Sequence, residues 1–500
     1  TCLTRRPPFE EDDPLSLVHC HLAVVPPPAH TLAPAVPEVL SDIVARLMRK
    51  APEDRYQSAF GVIRDLERCL EALNAGEEPT RFPLGEHDVV AVFQVSPRLH
   101  GREREREVLL GSLEDVGRQR TQLVTVSGYS GVGKSRLVAE LHKPMTRHSG
   151  QLAKGKFDQL SSSPYSAFID AFSEIVQNII AEPPGAIARW RAALNEALGA
   201  AAGVLTGAIP ALELVIGQPP PVPPLGPAES RNRFQHVVRA FLHVVATAEH
   251  PLVLFIDDLQ WADGGSLDLL RQVVGDTRIA HLLVLGAYRS NEVGDGHPLA
   301  LTLQSISEDG VVVKAIALAP LEATAVSGMV ADTVNCPAED AADLSALVLE
   351  KTGGNPFFVD QFLRVVHSAG ALQFDAAAGR WTWDLPQIRA MEITANVADL
   401  MARKVGALPT ATREVLQVAA CLGADFALET LATAAERSPA VAARALWPAL
   451  EALLIEPMGG AWRTAALQGD PESDVSDHTQ YRFQHDRVQE AAYSLIPEQE

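Results

Sequence analysis

The stretch Gly128-Tyr129-Ser130-Gly131-Val132-Gly133-Lys134-Ser135 decides the fold of this chain, because it matches the G-x-x-x-x-G-K-[ST] phosphate-loop pattern. The apolar run at 122–127 precedes it and is typical of a buried strand, and a helical pattern begins at Arg136. Strand, loop and helix in this order predict a nucleotide-binding site. A glycine turn before an amphipathic helix is the alternative, but a chance match in 500 residues is on the order of one in a hundred.

Each residue type in this loop suits one part of a bound nucleoside triphosphate. Glycines let backbone N–H groups turn inward onto the β-phosphate, where the helix N-terminus adds the positive end of its dipole. Lys134 would reach the β- and γ-phosphates, and the Ser135 hydroxyl would hold Mg²⁺. The residues predicted to bind the nucleotide here are Gly128, Gly131, Gly133, Lys134, Ser135 and Arg136.

A second motif, at 251–258, supplies the acidic half of the site. It is an apolar run that ends in Asp257 and Asp258, and such a run is typical of a central parallel strand. Its acidic end should emerge at the carboxyl edge of the sheet, beside the phosphate loop. We expect Asp257 to hold Mg²⁺ and Asp258 to orient or deprotonate the attacking water. A strand followed by an ordinary acidic turn is the alternative.

A third strand is predicted at 281–288, and it delivers Arg289 to the same edge. A guanidinium offers a rigid fork of donors to phosphate oxygens, so Arg289 is a candidate sensor of the γ-phosphate. A surface arginine after a strand is the alternative, and spacing alone does not choose between them. The predicted catalytic residues are Lys134, Asp258 and Arg289.

Composition and charge limit the classes of partner. The chain is 47% hydrophobic and 21% charged, as expected of globular domains with ample core. Its net charge of −21 disfavours direct binding to nucleic acid or to an anionic membrane. The five cysteines are scattered without C-x-x-C spacing, so neither a disulfide framework nor a zinc site is indicated. We therefore expect a reducing, cytoplasmic location.

The pattern of the chain indicates several domains. Its 500 residues suggest about three or four of them. Two helices are expected at 40–48 and 59–73, then a linker, then alternating strands and helices as in a doubly wound α/β domain, up to about residue 306. Beyond residue 318 the pattern is almost wholly helical, apart from a hairpin across 372–383. Thr1 is not a start methionine, so we expect a fragment of a longer protein.

Six motifs in chain order carry a family resemblance over nearly the whole chain. Together they resemble the AAA-type, STAND-class ATPase region of bacterial hybrid multi-kinases, in which a serine/threonine kinase domain precedes the ATPase and sensor and histidine-kinase modules follow. The six motifs in this order are specific to the family, whereas each motif alone is weak evidence for it. The motifs are H-G-R-E at 100–103, the phosphate loop, D-D-L-Q-W-A-D at 257–263, G-A-Y-R-S-N-E-V at 286–293, G-N-P-F-F at 354–358 and H-D-R-V-Q-E-A-A-Y at 485–493.

The resemblance implies a domain order. A P-loop NTPase domain with a parallel α/β sheet is followed by a helical lid domain and a winged-helix domain, and a small helical remnant of a kinase C-lobe precedes them. The kinase remnant carries none of the kinase catalytic motifs, so this chain cannot phosphorylate protein through it. The implied boundaries are 1–75 for the kinase end, 76–98 for the linker, 99–315 for the ATPase, 316–390 for the lid and 391–500 for the winged helix.

The resemblance also assigns further site residues. Arg102 matches a segment near the adenine, Pro356 matches a lid proline that packs on the base, and His485 matches a winged-helix histidine that touches the β-phosphate of ADP. A G-N-P turn or a helix-start histidine would also suit plain architecture. Arg231 and Arg233 are candidate arginine fingers, and two exposed residues on a solvated helix are the alternative.

The sequence thus predicts an ATP-binding, slowly hydrolysing switch in a signalling kinase, with ATP, ADP and Mg²⁺ as ligands. Its expected partners are the kinase and sensor/histidine-kinase domains of the same polypeptide, together with self-association. Two alternatives stay open. One is a nucleotide-binding scaffold without turnover, and the other is the ATPase module of a transcription regulator, which the acidic balance disfavours.

Overall fold

A computed structural model describes residues 2–9, 20, 24–50, 54–86, 88, 93–116, 121–147, 150–159, 163–375, 378–391, 397–458 and 480–496. The chain divides into two compact units. The unit that we call the helical unit comprises Thr1–Arg98, Ala323–Glu350 and Val359–Glu392. The other, the sheet unit, comprises Leu99–Glu322, Lys351–Phe358 and Ile393–Glu500. In the described part of the chain, no helix combines the length and apolar character that a membrane span requires.

A parallel five-stranded sheet organises the sheet unit. The strands are β1 (Gln122–Gly128), β2 (Gln151–Lys156), β3 (Leu252–Asp257), β4 (Leu282–Tyr288) and β5 (Val313–Leu318), in the spatial order β2-β3-β4-β1-β5. The three central strands are almost continuously apolar and buried, because helices cover both faces of the sheet. These central strands are the three that the sequence predicted, and the α/β fold class is confirmed. The expected domain end at residue 315 falls inside β5, whose mixed pattern of buried and exposed positions gives no clear strand signal.

Helices flank this sheet on both sides. One face packs on Phe168, Phe172 and Phe241, and the other packs on Leu109 and Leu137. The helices of this α/β part are α4 (Glu103–Val116), α5 (Lys134–Ala139), α6 (His142–Arg147), α7 (Ser166–Ile180), α8 (Pro184–Leu198), α9 (Ala202–Ala208), α10 (Leu212–Ile216), α11 (Pro227–Val245), α12 (Gly264–Gly275) and α13 (Pro298–Glu308).

The helical unit begins with α1 (Ala29–Leu32), α2 (Glu38–Leu47) and α3 (Ala59–Asn74), of which α2 and α3 match the two predicted helices. It continues with α14 (Ala323–Val334), α15 (Ala342–Thr352), α16 (Pro356–Ser368) and α17 (Leu385–Ala390), of which the end of α15 and the first turn of α16 belong to the sheet unit. Strands β6 (Leu372–Asp375) and β7 (Arg380–Trp383) pair antiparallel and confirm the predicted hairpin.

The C-terminal part of the sheet unit contains a second, smaller sheet. Its elements are α18 (Val397–Gly406), α19 (Thr410–Leu422), β8 (Asp425–Ala427), α20 (Leu428–Ala434), α21 (Pro439–Glu451), β9 (Ile455–Met458), β10 (Gln480–Phe483) and α22 (Asp486–Ser494). The strands pair antiparallel in the order β8-β10-β9. A helix, a strand, two helices and a two-stranded hairpin follow one another, which is the topology of a winged helix. The apolar pattern alone indicated only helices here, because strands of three or four residues are too short to show a period of two.

The stretch predicted to be a linker packs on helices within the helical unit. Phe82 and Leu84 lie against the buried core of α2 and α3. The Asp88 carboxylate accepts a hydrogen bond from the Ser58 backbone N–H at 2.9 Å. The described part of 76–98 is therefore a docked segment, since Phe82 and Leu84 are half-buried against these helices.

A group of rings that we call the aromatic cluster joins the N-terminal segment to the later helices of the same unit. Phe93 stacks on His367 with 4.4 Å between ring centroids, and its edge meets Trp381 at 5.7 Å. Phe60 meets Phe374 at 6.2 Å, and Phe374 meets Trp381 at 5.6 Å. Near it, Arg98 pairs with Asp332. Residues assigned to a kinase end and to a lid thus share one apolar core.

Candidate functional site

The phosphate loop has the backbone that its glycines permit. Gly131 and Gly133 have φ angles of +78° and +100°, in the left-handed region that favours glycine. Gly133 precedes α5 as its N-cap, and Lys134 is the first helical residue. The loop therefore ends at a helix N-terminus, where backbone N–H groups are available to an anion.

Lys134 is buried within this loop, with 8% of its surface exposed. Its Nζ donates hydrogen bonds to the carbonyl oxygens of Gly128, at 3.1 Å, and of Tyr129, at 3.2 Å. Carbonyl oxygens of the loop thus hold the ammonium group inside the loop. A triphosphate bound in the loop would offer stronger, charged acceptors to the same group.

The second acidic motif meets the phosphate loop at the carboxyl edge of the sheet. The Ser135 hydroxyl donates a hydrogen bond to Asp257 Oδ2 at 3.0 Å. These two residues are 122 positions apart in the chain. A hydroxyl and a carboxylate side by side are the oxygen ligands that Mg²⁺ prefers, so the pair fits the metal that the sequence predicts.

Asp258 lies immediately beyond, in a constrained backbone conformation. Its φ of +52° is left-handed, which is uncommon for a residue other than glycine, and its N–H donates to Asp257 Oδ1 at 2.9 Å. The carboxylate is almost fully buried, with 4% of the side chain exposed. Gln260 Nε2 donates to its Oδ1 at 2.7 Å, and Lys156 Nζ lies 3.4 Å from its Oδ2.

Arg289 is the centre of the charges around Asp258. Only 3% of its side chain is exposed, and its Nε lies 3.4 Å from Asp258 Oδ1. Its Nη1 lies 3.0 Å from Glu292 Oε1 and 3.5 Å from Glu490 Oε1. The guanidinium also stacks over Trp261, 4.7 Å from the ring centroid. We call the group of Lys156, Asp258, Gln260, Arg289, Glu292 and Glu490 the Arg289 cluster.

The G-N-P motif contacts the phosphate loop directly. Asn355 Nδ2 donates to the Ser130 carbonyl oxygen at 3.0 Å, and the Phe357 N–H donates to the Gly131 carbonyl oxygen at 3.3 Å. Gly354 has a φ of +75°, and a Cβ there would overlap the Leu321 carbonyl oxygen, so this turn requires glycine. Pro356 lies against Gly133 of the loop. Its predicted packing on the base stays a prediction.

Phe357 lies between His485 and the phosphate loop. His485 is the N-cap of α22, and its Nδ1 accepts a hydrogen bond from the Arg487 N–H at 3.1 Å. Its ring lies 4.1 Å from that of Phe357, centroid to centroid. The histidine thus caps a helix and contacts the residue whose backbone binds the phosphate loop. Its predicted contact with ADP stays a prediction.

The remaining predicted arginines have different surroundings. Arg102 is buried and donates to the Ala319 carbonyl oxygen just beyond β5, so it anchors backbone in this arrangement. Arg136 is exposed in the first turn of α5. Arg233 Nη1 donates to the Pro223 carbonyl oxygen at 2.8 Å and holds the proline-rich insertion, whereas Arg231 is exposed on α11.

Several site residues were not singled out from the sequence. Three of them lie inside motifs that were discussed for other residues: Gln260, Asn355 and Glu490. The sequence signal that could have identified them is that each side chain can form hydrogen bonds. Lys156 lies in none of the motifs. Its place follows from the register of β2 on β3, in which Lys156 is the partner of Asp257.

Another polar cleft lies at the amino edge of the sheet, where α12 ends. Arg239, Arg271 and Arg278 line it together with Asp276 and Asp309. Arg278 and Arg239 pair with Asp276, and Arg271 pairs with Asp309. The arginines of this cleft are therefore matched by aspartates from its own wall.

The parallel sheet and the phosphate loop define a P-loop NTPase fold. Residues 98–285 match the AAA ATPase domain family, so the chain contains an AAA ATPase domain.

Known proteins similar to this chain include signalling kinases. Hybrid signal transduction histidine kinase G of Dictyostelium discoideum is 30% identical over 596 aligned positions, which cover 99% of this chain and 17% of that protein. Serine/threonine-protein kinase PknH of Mycobacterium bovis is 43% identical over 58 residues, covering 12% of this chain and 10% of that protein. The chain thus spans less than a fifth of the length of either relative.

Among solved structures, the Orc1 protein of Aeropyrum pernix in complex with DNA is similar at 14% identity. The likeness covers 80% of this chain and 93% of that chain, with a TM-score of 0.35. A likeness of this size carries no conclusion about function.

Proposed function

We propose that this chain is a nucleotide-dependent switch in a kinase-type signalling protein, which binds ATP or ADP with Mg²⁺ and hydrolyses ATP slowly. The observation that carries the proposal is the hydrogen bond between Ser135 and Asp257. It brings together the two oxygen ligands that Mg·ATP needs, at the edge of the sheet where the phosphate loop ends. The match of residues 98–285 to the AAA ATPase domain supports it.

In this proposal each part of the loop has one task. The backbone N–H groups at the start of α5 bind the β-phosphate, and Lys134 exchanges its loop carbonyls for the β- and γ-phosphate oxygens. Ser135 and Asp257 hold Mg²⁺, which neutralises the charge that develops between the β- and γ-phosphates. Asp258 orients the attacking water.

The surroundings of Asp258 support slow turnover. Its Oδ1 is bound by Gln260 and Arg289, and its Oδ2 faces Lys156. Both carboxylate oxygens that could accept a proton from the attacking water are thus already engaged. Asp258 then activates water poorly as long as these partners hold it, so hydrolysis is slow. Slow hydrolysis fits a switch, because the bound nucleotide then lasts long enough to define its state.

The kinase relationship belongs to the whole polypeptide. The relatives named above are histidine and serine/threonine kinases, of which this chain covers a small part. We propose that nucleotide exchange here controls a kinase domain to which the N-terminal helices belong, and that sensor or histidine-kinase modules lie elsewhere in the same protein.

The test is nucleotide binding with matched variants. We expect wild type to bind both ADP and ATP, and Lys134→Ala to weaken binding by about 100-fold, because it loses the charged hydrogen bonds to two phosphates. Lys154→Ala is the control, since this exposed lysine lies on β2. Asp257→Ala should remove the effect of Mg²⁺ on affinity. Unchanged affinity in Lys134→Ala would refute the proposed site.

A measurement of ATP hydrolysis distinguishes the proposed switch from a nucleotide-binding scaffold without turnover. Wild type should hydrolyse ATP measurably, and Asp258→Asn should abolish hydrolysis while leaving binding intact. Wild type that binds ATP without releasing phosphate, at any Mg²⁺ concentration, would favour a scaffold whose nucleotide is structural.

A further inference from the structure

Arg289 is surrounded by more carboxylates than one guanidinium can bind well. Asp258, Glu292 and Glu490 all lie within 3.5 Å of its nitrogens. The predicted γ-phosphate would be a fourth anion at the same group. Arg289 offers five donors in a fixed plane, and its face is already taken by Trp261. A phosphate can therefore bind it well only if one carboxylate leaves.

The three carboxylates are not equivalent. Asp258 is almost fully buried and is also held by Gln260, and Glu292 is three residues from Arg289 in the same loop. Glu490 is contributed by α22, has the longest distance to Arg289, 3.5 Å, and has the most exposed side chain, 38%. It loses least on returning to water, because its charge is already partly solvated. Glu490 is therefore the carboxylate that a phosphate would displace.

Glu490 has a second partner that can receive it. Arg487, one turn earlier on α22, has its Nη1 2.6 Å from Glu490 Oε2. A Glu490 that leaves Arg289 thus stays paired within its own helix. The exchange breaks one contact between α22 and the loop after β4 and leaves no buried charge unpaired on the helix.

The same helix begins beside the turn that contacts the phosphate loop. Its N-cap His485 packs on Phe357, whose N–H donates to the Gly131 carbonyl oxygen. Among the described residues, α22 thus connects to the α/β domain through Phe357 at the loop and through Arg289. The connection through Arg289 depends on charge and would respond to the γ-phosphate, which distinguishes ATP from ADP.

We propose that Glu490 occupies the γ-phosphate position at Arg289 and makes the site prefer ADP. ATP then binds by displacing Glu490, which loosens α22 from the α/β domain. A ligand shifts such an equilibrium only by its differential affinity for the two states, and competition at one guanidinium supplies that difference. This inference rests on the proposed function and adds the residue that links the γ-phosphate to the winged-helix region.

The experiment measures the affinities of Mg·ADP and of Mg·AMP-PNP, a non-hydrolysable triphosphate, in wild type and Glu490→Gln. The variant keeps the shape of the side chain and removes its charge. We expect AMP-PNP to bind about tenfold tighter in Glu490→Gln and ADP to change less than about twofold. Equal changes for both nucleotides, or no change for AMP-PNP, would overturn the inference.

Arg487→Gln is the matched control on the same helix. It removes the alternative partner of Glu490 and leaves the contact with Arg289, so AMP-PNP should bind no tighter than in wild type. A second readout is amide hydrogen exchange over 486–494, which should be faster with AMP-PNP than with ADP in wild type. Equal exchange rates would contradict the loosening of α22.

These measurements distinguish a failure of the proposed nucleotide site from a failure of the inference about Glu490. Wild type that binds neither nucleotide refutes the proposed function, and the inference with it. Wild type that binds both nucleotides, with a Glu490→Gln variant indistinguishable from it, refutes the inference alone.

Discussion

Two groups of aspartates and arginines lie at opposite edges of the same parallel sheet, and they are built differently. At the amino edge, Asp276 binds Arg278 two residues away and Arg239 on α11. At the carboxyl edge, Arg289 binds Asp258 and Glu490, and the side chains of Arg289 and Asp258 are both almost fully buried. The first group is open to water through Arg278, 68% exposed, whereas Arg289 is 3% exposed.

The difference shows what each group can do. Exposed pairs gain little energy and can break without consequence, because water replaces the partner. A buried group fixes several elements at once, and removing one member leaves another charge unpaired in a poorly solvated place. The Arg289 cluster therefore has two properties that a switch needs: its members depend on one another, and an incoming anion can reorder them.

The largest expected effect is the loss of Arg289. Arg289→Ala takes the guanidinium away from the buried Asp258 carboxylate, so we expect the free energy of unfolding to fall by about 3 kcal/mol. Arg278→Ala, at the amino edge, should lower it by only about 1 kcal/mol, because Arg239 still pairs with Asp276 and Arg278 is largely exposed. Urea denaturation of nucleotide-free protein compares the two. Equal losses would mean that burial does not distinguish the clusters.

A second variant sharpens the same comparison. Asp258→Asn added to Arg289→Ala removes a buried charge that the first change deprived of one of its two cations, and we expect it to recover about 2 kcal/mol of the loss. The gain comes from desolvation, since the amide keeps the size of the carboxylate. A double variant less stable than Arg289→Ala would show that Asp258 is held mainly by its other partners.

The amino edge should respond to acid. The hydrogen bonds from Arg278 lower the pKa of Asp276 to about 2. A carboxyl whose pKa is lower in the folded state stabilises the fold above its ordinary pKa near 4, and this stability is lost as the pH falls towards 2. We expect a loss on the order of 1 kcal/mol, discounted for the exposure of Arg278. Denaturation between pH 5 and 2 should be flatter in Asp276→Asn than in wild type.

The smallest effect concerns an exposed pair beside the same cleft. Arg271 and Asp309 form two hydrogen bonds, at 2.7 and 3.1 Å, but each side chain is about half exposed. Arg271→Gln should leave the unfolding midpoint unchanged within error at high salt, because salt screens exposed charges. A midpoint that falls equally at low and high salt would contradict this account of the amino edge.

The sequence predicted the parts of the site that lie within continuous motifs. The phosphate loop, Asp257 and Arg289 each follow directly from a strand with an apolar pattern, so chain order and parallel geometry suffice to bring them to one edge. The Arg289 cluster could not be predicted in this way. Lys156 meets Asp258 because β2 lies beside β3, and strand order is not written in any local pattern. Glu490 meets Arg289 only through the packing of a region 200 residues further along.

The fold shows the same limit. The apolar run of β3 and the helical periodicity of α3 located these two elements, whereas β8, β9 and β10 are too short to show a period. The docking of the described part of 76–98 was also missed, since polar composition indicates a linker even where Phe82 and Leu84 are half-buried against helices.

The aromatic cluster determines where this protein can be divided. A shorter chain that started at residue 99 would contain the whole parallel sheet, and it would lack Phe60 and Phe93. His367, Phe374 and Trp381 would then lose the rings that cover them and would present an apolar surface to water, which favours aggregation. The piece that can be expressed, fused or inherited as one module therefore starts upstream of the ATPase fold, within the helices that precede it.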